Sequence, residues 1–186
     1  MKHVKKVSKR TRVLTGVVAA LAIGGVGAWS ANASSPAPAA QAAARAGAGD
    51  GHLTRSTHLT VAAATDAAEA VLRAAQKENQ RVSVAVVDRN GNTVVELRGD
   101  GAGPQSYESA VKKAYTAVSW NAPTSGLVKR LESAPTLKDI PGTLFLAGGA
   151  PVTAGGAPIA GIGVAGAPSG DLDEKFARAG VAELAK

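Results

Sequence analysis

The chain has no cysteine, a single methionine at position 1 and only three histidines in 186 residues. Without cysteine, disulfides and all thiolate chemistry are excluded. The last histidine is His58, so a Ser-His-Asp relay has no base in the rest of the chain. No hydrolase or dehydrogenase constellation is visible, and no residue is assigned a catalytic role.

Acidic residues are absent from the first 33 positions, which hold Lys2, Lys5, Lys6, Lys9, Arg10 and Arg12. An uncharged run from Val13 to Trp29 follows, and then the small-x-small triplet Ala31-Asn32-Ala33. A basic start, an apolar stretch and a small-residue site are the three parts of a secretory signal. The apolar run is shorter than the roughly 20 residues a spanning helix needs, which favours removal over anchorage. Residues 1–33 are therefore expected to be a signal peptide and the mature protein to be extracellular or associated with the cell wall. Ser8-Lys9-Arg10-Thr11-Arg12 loosely resembles a twin-arginine export signal.

That segment also explains the charge. The whole chain carries 21 basic and 14 acidic residues, a net +7. Six of the basic residues precede Ser34, leaving 15 against 14, or +1. The folded part has no basic excess for nucleic acid and no basic amphipathic helix for anionic lipid.

Residues 34–58 begin as SSPAPAAQAAARAGAGDG, an Ala-, Pro- and Gly-rich linker. The remainder, 59–186, suits one domain. Thr60 reads as a helix N-cap, with Val61, Ala64, Ala68, Val71, Leu72 and Ala75 on one helical face. VSVAVV from Val82 to Val87 and Thr93–Leu97 read as two strands joined by Asp88-Arg89-Asn90-Gly91, a hairpin signal. Tyr107–Trp120 reads as a helix, and a short helix starts at Pro123 and ends before Pro135. Thr143–Ala147, Pro151–Thr153 and Ile159–Ala165 read as strands, and Asp171 opens a last helix with Glu174 in capping-box spacing. The class is α+β: an antiparallel sheet of about five strands with flanking helices in a single domain.

Three patterns carry candidate chemistry. Gly161-Ile162-Gly163-Val164-Ala165-Gly166 matches G-x-G-x-x-G, but it lies inside a strand and no helix opens within it. It is read as a close backbone approach rather than a dinucleotide loop. Asp66 and Glu69, three apart on a helix, are a candidate pair for a hard cation, against which stands an ordinary ion pair between Glu69 and Arg73. Asp171, Asp173 and Glu174 are read as complementing the positive end of the last helix. The Tyr107–Trp120 helix has a core stripe of Tyr107, Ala110, Val111, Ala114 and Val118. A second face carries Lys112, Lys113, Thr116, Ser119 and Trp120. Lysines beside a tryptophan suit a flat anionic ligand, and equally a contact between subunits.

The strings VSVAVVDRNGNTVV, GAGPQSYESA, KKAYTAVSWNAPTS, TLKDIPGTLFLAGGAPV and PIAGIGVAGAPSGDLDE, in this order, resemble the HbpS-like (GlcG-like) haem-binding family. The likeness is closest to its secreted, streptomycete-type member. It implies haem and iron binding outside the cell, a homo-oligomer of octameric size, and signalling to a membrane sensor histidine kinase under oxidative stress. Haem degradation is also implied, which leaves an enzyme, or an oligomeric interaction protein without haem, as alternatives. The resemblance places the haem iron on Thr116, within Lys113-Ala114-Tyr115-Thr116-Ala117. Lys112 or Lys113 is then expected to meet the propionates and Trp120 the macrocycle, with His52 and His58 as rival ligands. Thr116 lies off the core stripe, so its truncation is expected to spare the fold.

Overall fold

The computed structural model describes residues 48–186; the expected signal segment 1–33, with its Ala31-Asn32-Ala33 site, and residues 34–47 of the expected linker lie outside them. Residues His52–Lys186 form one compact α+β unit.

Helix α1 (Val61–Lys77) starts where expected: the Thr60 side chain accepts a hydrogen bond from Ala63 N at 3.1 Å. Its buried stripe is almost all alanine, with Val71 the one large side chain. Val61 is in phase with that stripe but lies on the first turn and is exposed, so it is not a core residue. Strands β1 (Ser83–Asp88) and β2 (Thr93–Arg98) follow as a hairpin. Its turn is organised by Asp88, whose carboxylate accepts from Asn90 N at 2.8 Å, Asn92 N at 2.9 Å and Asn92 Nδ2 at 3.1 Å. Gly91 alone takes positive φ in this turn; Asn90 does not.

Helix α2 spans Pro104–Trp120, three residues more than the apolar pattern indicates, because proline is pre-organised for the first helical position. Tyr107, on that first turn, is largely exposed rather than core. Helix α3 is shorter than expected, Thr124–Val128, and gives way to 3-10 turns at Lys129–Glu132 and Pro135–Asp139. Strands β3 (Gly149–Ala154) and β4 (Ala157–Ala165) form a second hairpin. Helix α4 (Gly170–Glu183) is capped by Ser169, whose hydroxyl accepts from Leu172 N at 3.2 Å. Asp171 is therefore inside the helix and does not open it.

The sheet has four antiparallel strands in the order β2-β1-β4-β3. The expected fifth, Thr143–Ala147, is not a strand. The Leu144 N–H is spent on the Thr116 hydroxyl of α2 at 2.8 Å and the Leu146 N–H on Leu144 O, so the segment straps the helix instead of joining a ladder.

Period-two alternation gives the sheet two apolar faces. Val84, Val86, Ile162 and Val164 point to α1 and α4, against Val71 and Phe176. Full burial of each such side chain is worth about 1.5–3 kcal/mol. Ala85, Val87 and Ala165 point to α2, against Ala110, Ala114 and Val118. On this side β4 presents Gly161 and Gly163. A Cβ on Gly163 would collide with Ala110 O and Ala114 N, and one on Gly161 with Ala114 O. The glycine run thus lets a helix lie directly on a strand, the close approach read from the sequence.

Candidate functional site

The chemistry-bearing residues converge on α2, but its helical turns send them to different places. Lys112 stays at the surface, paired with Glu108 at 2.7 Å. Lys113, its neighbour, is turned inward and only 2 % exposed. Its ammonium donates to Asp173 Oδ2 at 2.8 Å and to Val164 O at 3.0 Å. Asp173 in turn accepts from Ala167 N at 2.9 Å. One ion pair therefore ties α2, the end of β4 and the first turn of α4 together. Burial holds the Asp173 carboxyl above its ordinary range, opposed by the Lys113 ammonium and by the amides of Ala167 and Gly166. Asp173 is a buried counter-ion rather than a solvent-facing complement to the helix end. The next residue, Glu174, is also buried and binds Ser125 N at 2.9 Å, Ser125 Oγ at 2.8 Å and Arg178 at 2.7 Å. Burial would raise the Glu174 pKa, but these donors outweigh it and hold it below the ordinary value.

Above Lys113 opens a cleft of about 390 Å³, walled by Gln105, Ser109, Leu146, Ser169 and Gly170. Lys113 forms its floor, but with its charge already matched by Asp173. The lysine left for an anionic group at the surface is Lys112.

Thr116, expected at the surface, is fully buried. Its hydroxyl donates to Lys112 O at 2.7 Å and accepts from Leu144 N at 2.8 Å. The reading of Thr116 as off the core is thereby overturned: the α2 side away from the core stripe is covered by the 140–146 segment. In this conformation the hydroxyl does not fit as a haem ligand, because it is fully buried and its oxygen already accepts from Leu144 N. Trp120 is half-buried, edge-on to Phe145 with ring centroids 5.7 Å apart, and Arg130 lies over its ring at 5.4 Å. Ile140 and Leu146 of the same segment are exposed, Leu146 in the wall of the cleft above Lys113. Lys113 and Thr116 are thus both buried, and Lys112 and Trp120 both half-exposed.

Asp66 and Glu69 are both exposed on α1, and Glu69 pairs with Arg73 at 3.2 Å. Among the described residues no group of three His, Cys, Asp or Glu side chains could hold a metal, so the pair lacks a third ligand. His52 is exposed. His58 contacts Ser56 Oγ at 2.7 Å and stands 3.8 Å from Asp88. Asp173, Leu144 and Phe145 were not identified from the sequence as partners of this site. They lie 25 to 60 residues from the side chains they touch, and no local pattern marks them.

Comparison with known proteins now adds to this geometry. No curated protein sequence matches the chain. Among solved structures, a double Glu-to-Asp mutant of Streptomyces reticuli HbpS is 76 % identical, with a TM-score of 0.72, covering 73 % of this chain and 93 % of that one. Klebsiella pneumoniae protein ORFY is 27 % identical, with a TM-score of 0.67 and coverage of 71 % and 94 %. A PduOC:heme complex is 26 % identical, with a TM-score of 0.63 and coverage of 68 % and 95 %. The family model described as "Haem degrading protein HbpS-like" matches residues 59–182, and the chain belongs to that HbpS-like family.

Proposed function

We propose that this chain is a secreted haem- and iron-binding protein, an extracellular redox and haem sensor or scavenger that signals to a membrane histidine kinase. The observation that carries the reading is the family match over residues 59–182, joined by a haem complex among the structural neighbours. Export rests on the basic, apolar and small-residue order of residues 1–33. Assembly as an octamer and signalling to a kinase rest on the resemblance to HbpS.

Haem needs apolar surface and a cation for a propionate, which Trp120, the exposed Ile140 and Leu146, and the surface Lys112 can supply. Iron ligation by Thr116 requires a conformation in which the segment around Leu144 has moved off α2. The Asp66–Glu69 pair is retained as the iron site, completed by water or another copy.

A Soret titration tests this directly. The wild-type protein should bind haem, Thr116→Ser should retain binding, and Thr116→Val should weaken it and shift the band. Deleting the residues before Leu59 should leave binding nearly unchanged. The reverse pattern moves the ligand to His52 or His58, and no Soret change at all removes the haem reading. The family description favours a second reading, an enzyme that opens haem. Incubating haem with reductant and oxygen separates the two: an enzyme turns over repeatedly, whereas a binder bleaches its haem once.

A further inference from the structure

Helix α1 ends in a turn that brings the chain back beside its own last residues. Asn79 takes a left-handed φ of 56°, and Gln80 N then donates to Ala75 O at 2.9 Å, a Schellman closure. From the other side comes the turn after β2. Gly99 N donates to Val82 O at 2.9 Å, and Ala102 N closes the turn on Gly99 O at 3.0 Å. A Cβ on Gly99 would stand 2.8 Å from Val82 O, and one on Gly101 2.9 Å from Arg81 Cδ. Glycine at both positions lets this turn lie against Val82 and against the stem of Arg81.

Between the two turns lies a cavity of about 290 Å³, at the small end of the range for ligand pockets. Its apolar lining is Ala75 and Val82, both buried, and the half-buried Leu72. Its charged lining residues are Arg81 and Asp100, both exposed. They are opposite in sign, yet they do not close on each other. Neither has an ion-pair or side-chain hydrogen-bond partner among the described residues.

Two unmatched opposite charges beside an apolar lining suit a small ligand that carries both charges itself. A simple anion would leave Asp100 facing it, and a simple cation would leave Arg81 doing so. The Arg81 guanidinium matches a carboxylate in fork geometry. The cavity also borders the carbonyl end of α1, where a cation is favoured. We propose that this cavity binds a free α-amino acid with an apolar side chain, its carboxylate on Arg81 and its ammonium on Asp100. No residue of α2 or of the 140–146 segment lines it, so the site is independent of the haem reading.

Titration of the haem-free full protein with L-leucine, followed by amide NMR shifts, tests the site. Leucine should move the amides of Ala75, Gln80 and Gly99. Leucinamide lacks the carboxylate and isocaproate lacks the amine; each should bind about tenfold more weakly. Arg81→Gln should remove the advantage of leucine over leucinamide, and Asp100→Asn its advantage over isocaproate. Both side chains are exposed, so neither substitution should disturb the fold. Equal binding of the three compounds, no shift with leucine at millimolar concentration, or variants that weaken all three alike would overturn the proposal.

Discussion

Replacing Thr116 by valine keeps the β-branched shape and removes only the hydroxyl. That hydroxyl is completely buried, donating to Lys112 O and accepting from Leu144 N. Leu144 N then loses its acceptor. An unmade bond at a buried donor costs about 1–3 kcal/mol, and the added methyl returns part of it, so a net loss of about 1–2 kcal/mol is expected. Serine keeps both bonds and loses one methyl, about 1 kcal/mol. Alanine loses both features and should cost about 2–4 kcal/mol. Urea unfolding followed by linear extrapolation measures these differences. Limited proteolysis adds a local readout, since the valine and alanine proteins should be cut faster within residues 140–147 and the serine protein should not. A valine variant as stable as wild type and no more readily cut would refute the role given to this hydroxyl.

Lys113→Met should destabilise by about 3–5 kcal/mol because it strands a buried carboxylate. Adding Asp173→Leu should recover most of that loss, as measured by denaturant unfolding of the single and double variants. Gly163→Ala drives a Cβ into the α2 backbone and should lower stability by about 1–3 kcal/mol or more. Gly126→Ala, in open space on α3, should instead raise it by about 0.5–1 kcal/mol; thermal melts of the two compare them. Glu174 has a folded pKa below its ordinary 4.5, so its stabilisation is complete above that value and is lost as pH falls through the folded pKa. Stability measured from neutral pH down to about pH 3 should therefore decline less steeply in Glu174→Gln.

What could be read from the sequence follows from how local each cause is. The Thr60 cap, the hairpin around Asp88 and the glycine run of β4 are each set by residues a few positions apart, and they stand as expected. Val61 and Tyr107 fit their helical stripes yet are exposed, because periodicity gives a phase and not the length of the packed surface. TLFLA has strand composition, but one hydroxyl on α2 captures its backbone. Helical periodicity puts Lys113 and Thr116 on the second face of α2, off its core stripe, and charge and polarity argue against burial there. Their burial depends on Asp173 and Leu144, distant partners that create the exception.

The strand order has a kinetic meaning. β1 with β2 and β3 with β4 are hairpins closed by short turns, whereas β1 meets β4 with Ser83 opposite Ala165. The central seam of the sheet therefore needs the longest loop closure, while its flanks need the shortest. The seam is also where α2 settles onto Gly161 and Gly163 of β4 and onto Ala85 and Val87 of β1, so its packing is complete only when both hairpins are in place. Folding should thus be limited by the docking of two preformed hairpins beneath α2. Substitutions along the Ala110–Ala114 surface of α2 should slow folding more than they speed unfolding, and those in the β3–β4 turn should do neither to any great extent.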